Sequence, residues 1–151
     1  MRGWLGLVVF LVLVAAAAVL GAMAMPDAWY ASLQKPSFNP PAWIFGPAWT
    51  LLYILMAVAA WRVFRVAGWG PAIGLWLIQL AVNASWSPLF FGMHRIDLAL
   101  LTIIALDILV IATIAVFFRK DRIAAWLMLP YLAWIAFATT LNATIWQLNP
   151  A

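Results

Sequence analysis

Five stretches of this chain hold a single charged side chain between them: Trp4–Met25, Ala42–Trp61, Pro71–Phe91, Leu98–Phe118 and Ile123–Trp146, each 20 to 24 residues long. Wound as a helix rising about 1.5 Å per residue, such a run crosses a hydrocarbon layer of about 30 Å. Lipid offers the backbone no water to bond, so these runs must satisfy their own N–H and C=O groups, as a helix does. A membrane β-barrel would show segments of about ten residues alternating apolar and polar, whereas these are apolar all round. Charged residues make up 8% of the chain, against about 25% in a soluble domain. A water-soluble enzyme is excluded. The expected fold is an all-α integral membrane protein, one domain over residues 1–151 built as a bundle of five transmembrane helices.

The cations are unevenly shared between the two ends of that bundle. With the N-terminus on one side, that side carries Arg2, Arg62, Arg65, Arg119, Lys120 and Arg122, and the other only Lys35 and Arg95. This excess predicts a multi-pass protein of the bacterial cell membrane with its N-terminus inside. The charge rule describes insertion through an inner membrane and leaves an outer-membrane address open. Arg2, the apolar run after it and Ala22-Met23-Ala24 also fit a cleavable signal peptide. The length of the run, and Ala17 and Gly21 as sites of close helix packing, favour a retained span. No internal repeat is visible, and five spans do not divide into the equal halves of an inverted-repeat transporter.

Most connections are tight. The exception, residues 26–41, holds four prolines together with Asp27, Trp29, Tyr30, Lys35, Phe38 and Asn39. Prolines fix φ and lower the entropy lost in holding a loop to one shape. The segment therefore reads either as a lid over a site or as an interfacial loop anchored by Trp29 and Tyr30.

Much ordinary site chemistry is missing. Cysteine and glutamate are absent and His94, in a loop, is the single histidine, which removes thiol chemistry and bis-histidine haem ligation. Both lysines lie in loops, so no retinal Schiff base forms at membrane depth. No metal, no obligatory cofactor and no nucleic-acid partner is expected. What remains is polar and aromatic side chains on particular faces. Gln79, Asn83, Trp86 and Phe90 follow one helical stripe, as do Trp49, Tyr53, Met56 and Ala60, and as do Tyr131, Trp134, Ala138 and Asn142. Amides in lipid need partners, so Gln79, Asn83 and Asn142 should face the interior, bonding either other helices or a ligand.

Of the 11 tryptophans, Trp4, Trp29, Trp43, Trp61, Trp69, Trp126 and Trp146 stand at span ends, where indoles anchor in the interface. Trp76 lies deeper without a polar companion, which reads as packing or lipid contact. Trp49, Trp86 and Trp134 lie on the stripes, each with a broad face and an N–H that needs an acceptor when buried. Together they suit a planar, mostly apolar polycycle with a few polar edges. Asp107, near the middle of the fourth span, is either a functional group or a neutral acid bonded to a nearby backbone or hydroxyl, with Thr102 and Thr113 the nearest hydroxyls on its own helix. Gly70 and Gly74, spaced as GxxxG, suggest close approach of another helix or a second copy.

Three blocks carry a resemblance. Lys35-Pro36-Ser37-Phe38-Asn39-Pro40-Pro41-Ala42-Trp43 with Gly46-Pro47-Ala48-Trp49 is one; Gln79-Leu80-Ala81-Val82-Asn83 with Trp86-Ser87-Pro88-Leu89-Phe90-Phe91-Gly92 is the second; the third runs from Pro130-Tyr131 to Leu141-Asn142. Together they resemble the TspO/MBR family of tryptophan-rich sensory and translocator proteins, which includes the mitochondrial peripheral benzodiazepine receptor. The resemblance implies a homodimer of five-helix bundles in the lipid bilayer, each with a ligand cavity capped by its first loop. It implies porphyrin ligands such as protoporphyrin IX, benzodiazepine-type drugs and, in mitochondria, cholesterol. It places cavity tryptophans at Trp49 and Trp134, a cavity asparagine at Asn83, a loop tyrosine at Tyr30 and a ligand-sensitive alanine at Ala138.

The expected ligand-binding set is Tyr30, Pro41, Trp49, Tyr53, Asn83, Trp86, Phe90, Trp134, Ala138 and Asn142. The expected function is a receptor or sensor for porphyrin-like tetrapyrroles. Alternatives are a light-dependent porphyrin-degrading catalyst, with Trp49 and Trp134 as redox partners of the pigment, and a tetrapyrrole or sterol transporter. Ala143 and Gln147 stand where the mitochondrial sterol motif has Tyr and then Arg or Lys, so sterol binding is not carried over.

Overall fold

Wherever the sequence runs uncharged for twenty residues the backbone is helical, and short polar or Gly/Pro segments separate the helices. The computed structural model describes residues 2–150. In order they form α1 (Trp4–Ala22), the short α2 (Ala28–Ser32), α3 (Ala42–Ala67), α4 (Pro71–Ser87) continued by a π-helical turn (Pro88–Gly92), α5 (Ile96–Phe118) and α6 (Arg122–Leu148). Five of these units are long and apolar enough to cross a membrane, and no strand occurs among the described residues. The chain is an all-helical membrane bundle.

The helix ends differ from the edges of the uncharged runs for local reasons. α3 carries Arg62 and Arg65 in its last turns and stops at Gly68, whose φ of 67° turns the chain away while its N–H bonds Phe64 O at 2.8 Å. α4 begins with Pro71, whose missing N–H would have had no partner at that position anyway. α6 begins beyond Asp121, whose carboxylate accepts the Ala124 N–H at 2.9 Å. At the far end of α4, Pro88 cannot donate to the preceding turn, and the chain widens until the Met93 N–H bonds Pro88 O at 2.9 Å. The segment read as one loop, residues 26–41, contains α2, capped by the Asp27 carboxylate accepting the Tyr30 N–H at 3.1 Å.

The long helices close a ring in the order α1, α3, α6, α5, α4 and back to α1, with α3 and α4 also touching across the middle. Lipid tails are as apolar as leucine, so this packing rests on close contact rather than on burial from water. Ala57, Ala59 and Ala60 are fully buried on α3 and let its neighbours approach. The first span is an integral member: Phe10 is buried between Phe64, Trp69 and Trp76, with ring centroids 5.5 to 5.8 Å away. Trp76 is therefore a packing residue without lipid contact. Leu51, Ile78, Leu101, Ile108 and Ile111 point outward, where the bilayer takes them at no cost.

Candidate ligand site

The candidate site is built on one face each of α3, α4 and α6, with the 26–41 segment packed against its end through Tyr30 and Phe38. Along α4, Gln79 and Asn83 are one turn apart and both buried. Tyr53 of α3 donates to Asn83 Oδ1 at 2.7 Å, and the Asn83 amide donates to the Tyr131 hydroxyl of α6 at 2.8 Å. Tyr131 in turn donates to Gln79 Oε1 at 3.1 Å. Four side chains from three helices thus form one hydrogen-bonded chain. It satisfies both ends of the asparagine and ends at the Gln79 Nε2 amide, which is buried and has no partner.

Aromatic rings stand beside this polar chain. Trp49 lies 5.6 Å from Tyr53 and 6.4 Å from Trp134, the latter pair nearly perpendicular. Trp134 also meets Phe45 and Phe137, each at 5.9 Å. Its indole N–H is buried and unpaired. A second cluster lies beneath the 26–41 segment: Trp86 stacks on Phe90 at 5.0 Å, and Tyr30 meets Phe90 at 6.1 Å and Phe91 at 5.2 Å. Trp86 differs from Trp134 in having an acceptor, for its N–H bonds Asn142 Oδ1 at 3.0 Å, while the Asn142 amide bonds Ile96 O at 3.2 Å. Asn142 is thereby committed to holding the α4, α5 and α6 ends together.

The 26–41 segment is fastened at several points. Trp29 stacks on His94 at 4.1 Å and 10°, and His94 Nε2 lies 3.3 Å from Asp27 Oδ2. Asn149, just past α6, accepts the Gln34 N–H at 2.9 Å and donates to Gln34 O at 2.8 Å. Phe38 rests on Phe137 at 6.2 Å. Lys35 folds back over the Tyr30 ring and donates to Tyr30 O at 2.7 Å, a carbonyl that also accepts the Leu33 N–H at 3.2 Å at the end of α2. The Tyr30 N–H bond, together with His94, holds the Asp27 carboxyl below the usual range, and burial pushes the Tyr30 phenol up.

Eight of the ten expected ligand-binding residues therefore gather in these two linked clusters. Tyr30, Trp86, Phe90 and Asn142 lie in the one under the 26–41 segment, and Trp49, Tyr53, Asn83 and Trp134 in the deeper one. Pro41 is exposed at the start of α3, and Ala138 is half-buried on α6 one turn past Trp134, without a ring contact. Phe45 and Phe137, which join the clusters, were not singled out by sequence, although Phe45 precedes Trp49 by one turn and Phe137 follows Trp134 by three residues. Asp107 bonds neither Thr102 nor Thr113, whose hydroxyls bond Leu98 O and Leu109 O of their own helix; its partner is Thr139 of α6.

Comparison with known proteins places this geometry. A sequence model of the TspO/MBR family matches residues 7–147. The chain is 44% identical over 146 residues to the tryptophan-rich sensory protein of Cereibacter sphaeroides, covering 97% of this chain and 92% of that protein. It is 40% identical over 146 residues to protein CrtK of Rhodobacter capsulatus, covering 94% and 91%. To the human translocator protein it is 40% identical over 126 residues, covering 80% and 75%.

Proposed function

Because this chain belongs to the TspO/MBR family, we propose that it is a membrane receptor or sensor whose ligand is a flat, mostly apolar polycycle of the porphyrin class. The names of its relatives support a sensory or translocating role in a membrane; the site residues support the ligand class. The ligand enters between α3, α4 and α6, beneath the 26–41 lid. One observation carries the reading: of the three buried donors without an acceptor among the described residues, two, the Trp134 indole N–H and the Gln79 amide, lie at this site, and the third is the Trp76 indole N–H packed against Phe10 of α1. An unpaired buried donor costs free energy unless something accepts from it. A tetrapyrrole offers a broad face to Trp49 and Trp134 and acceptors at its edge. Benzodiazepine-type compounds, smaller and puckered at the seven-membered ring but aromatic and edged with acceptors, compete for the same space. A second copy belongs to this reading, since a Cβ at Gly70 or Gly74 would meet nothing within 4 Å, leaving that face of α4 uncovered within one chain.

Absorbance titration with protoporphyrin IX in the dark tests the proposal. The expected result is a saturable spectral shift that a benzodiazepine-type competitor reverses. Non-saturable partitioning, equal to that of empty detergent micelles, would overturn it. The edge contact of Trp49 and Trp134 favours a second reading, light-driven degradation of the bound pigment, because it places two oxidisable indoles side by side. The same sample under illumination separates the two. Loss of the pigment band with a new product band marks a catalyst, and bleaching no faster than free porphyrin marks a binder.

A further inference from the structure

Asp107 lies midway along α5, on the seam with α6. Its Oδ2 is 2.7 Å from Thr139 Oγ1, and its Oδ1 is buried without a hydrogen-bond partner. The same Thr139 oxygen is 2.7 Å from the Ile135 carbonyl oxygen one turn earlier. A hydroxyl has one proton to give and two lone pairs to receive with. Threonines within helices commonly give that proton to the carbonyl four residues back. Thr139 then presents only lone pairs to Asp107, and both short contacts are hydrogen bonds if the aspartate supplies the second proton. The relay runs from Asp107 Oδ2–H to Thr139 Oγ1–H to Ile135 O. An ionised carboxylate would instead compete with that carbonyl for a single proton while its other oxygen stayed bare.

The surroundings offer an ionised Asp107 no counter-charge. Among the described residues, no lysine, arginine or histidine bonds it. On α5 the other carboxyl is Asp97, in the first turn and about 15 Å along the helix. On α6 the titratable neighbour is Tyr131, whose hydroxyl is engaged with Asn83 and Gln79, and Arg122 stands at the far N-terminus. α4 and the π-helical turn carry no charged side chain. A charge buried without a partner in hydrocarbon is costly, and a group so placed neutralises instead. Ile104, Ile108 and Ile111, within one turn of Asp107, are exposed on the outer surface, so this seam borders the lipid.

We propose that Asp107 is a proton-binding site within the membrane: a carboxylic acid at neutral pH, held by Thr139 on the α5–α6 seam and reachable from the lipid by apolar carboxyl reagents. The site is independent of the ligand reading. The chemistry it supports is addition to a carbodiimide. The acid proton passes to one nitrogen, the carboxyl oxygen bonds the central carbon, and the acyl group then migrates to nitrogen as a stable N-acylurea. Nothing leaves and no oxidant is needed.

The full chain in liposomes, treated with dicyclohexylcarbodiimide and mapped by peptide mass, tests this. The adduct should form on Asp107 in preference to Asp27, Asp97 and Asp121, decline as alkaline pH removes the proton, and be lost in Asp107→Asn. A water-soluble carbodiimide should reverse the preference. Infrared spectroscopy gives a second readout that needs no reagent access. A protonated-carboxyl stretch should be present at neutral pH, shift in Thr139→Val, and vanish in Asp107→Asn, whose amide copies the shape of the neutral acid. No infrared difference between wild type and Asp107→Asn, or adducts confined to the other three aspartates, overturns the proposal.

Discussion

Asn83 shows how one side chain can serve both the fold and the site. Its amide receives from Tyr53 and gives to Tyr131, so replacing it removes two bonds, leaving the Tyr53 hydroxyl without its acceptor and Tyr131 with Gln79 alone. Asn83→Leu should lower stability by about 1–3 kcal/mol, the cost of leaving buried polar groups unpaired, read as a lower thermal midpoint in detergent. A midpoint equal to wild type would mean that the tyrosines find other partners. The asparagine and Gln79 were legible in the sequence, because two amides four residues apart in an apolar run must turn inward together. Tyr131 was legible as a member of the α6 stripe, but its place as the link between them was not. Tyr131 sits 48 residues from Asn83, and the register that sets it there is decided by packing between helices, which periodicity within one helix does not report. The same limit applies to Asp107, whose hydroxyl partner lies 32 residues away on the neighbouring helix.

At the scale of the element, the 26–41 segment is the part whose stability is local and adjustable. It buries few apolar side chains, and what fastens it is a small set of named contacts at its two ends and its middle. Asn149→Ala removes both hydrogen bonds to Gln34, so amide exchange over residues 28–38 should quicken while exchange in α3 to α6 stays unchanged. Bound porphyrin should slow that same segment, and identical exchange in wild type and variant would show that Asn149 does not hold it. Acid should loosen the segment too. The folded Asp27 carboxyl titrates below its ordinary value of about 3.9. Its contribution is therefore whole above that value and lost as pH falls through the lower, folded one. The prolines and aromatics showed that this stretch is ordered, since a flexible linker has no use for them. They did not show α2, a five-residue helix too short for any periodic signal, nor its Asn149 anchor, a polar residue beyond the last apolar run whose partner lies 115 residues away.

For the whole molecule, the ring order of the helices explains why the site lies where it does. Tight loops favour neighbours in sequence lying side by side, yet α6, the last to emerge, packs between α3 and α5, and α1 packs against both α3 and α4. That closure brings Trp134 and Tyr131 to Trp49, Tyr53 and Asn83. The pattern of apolar runs gives the number of helices but not their order in space, because each run is apolar on every side. The ends of the ring are distinguishable by charge. Arg62 pairs with Asp121 at 3.0 Å on the end that also carries Arg2, Arg65, Arg119, Lys120 and Arg122, whereas the lid end carries Lys35 and Arg95. Insertion retains the cation-rich end inside, so the lid and the mouth of the site should face out. The chain has no cysteine, so single substitutions report the topology without background. Ser37→Cys in the lid and Ala67→Cys at the end of α3 are both exposed positions, and neither substitution alters a charge. In intact spheroplasts a membrane-impermeant maleimide should label the first, and label the second only after permeabilisation. The opposite pattern would turn the molecule over and place the mouth of the site on the cytoplasmic side.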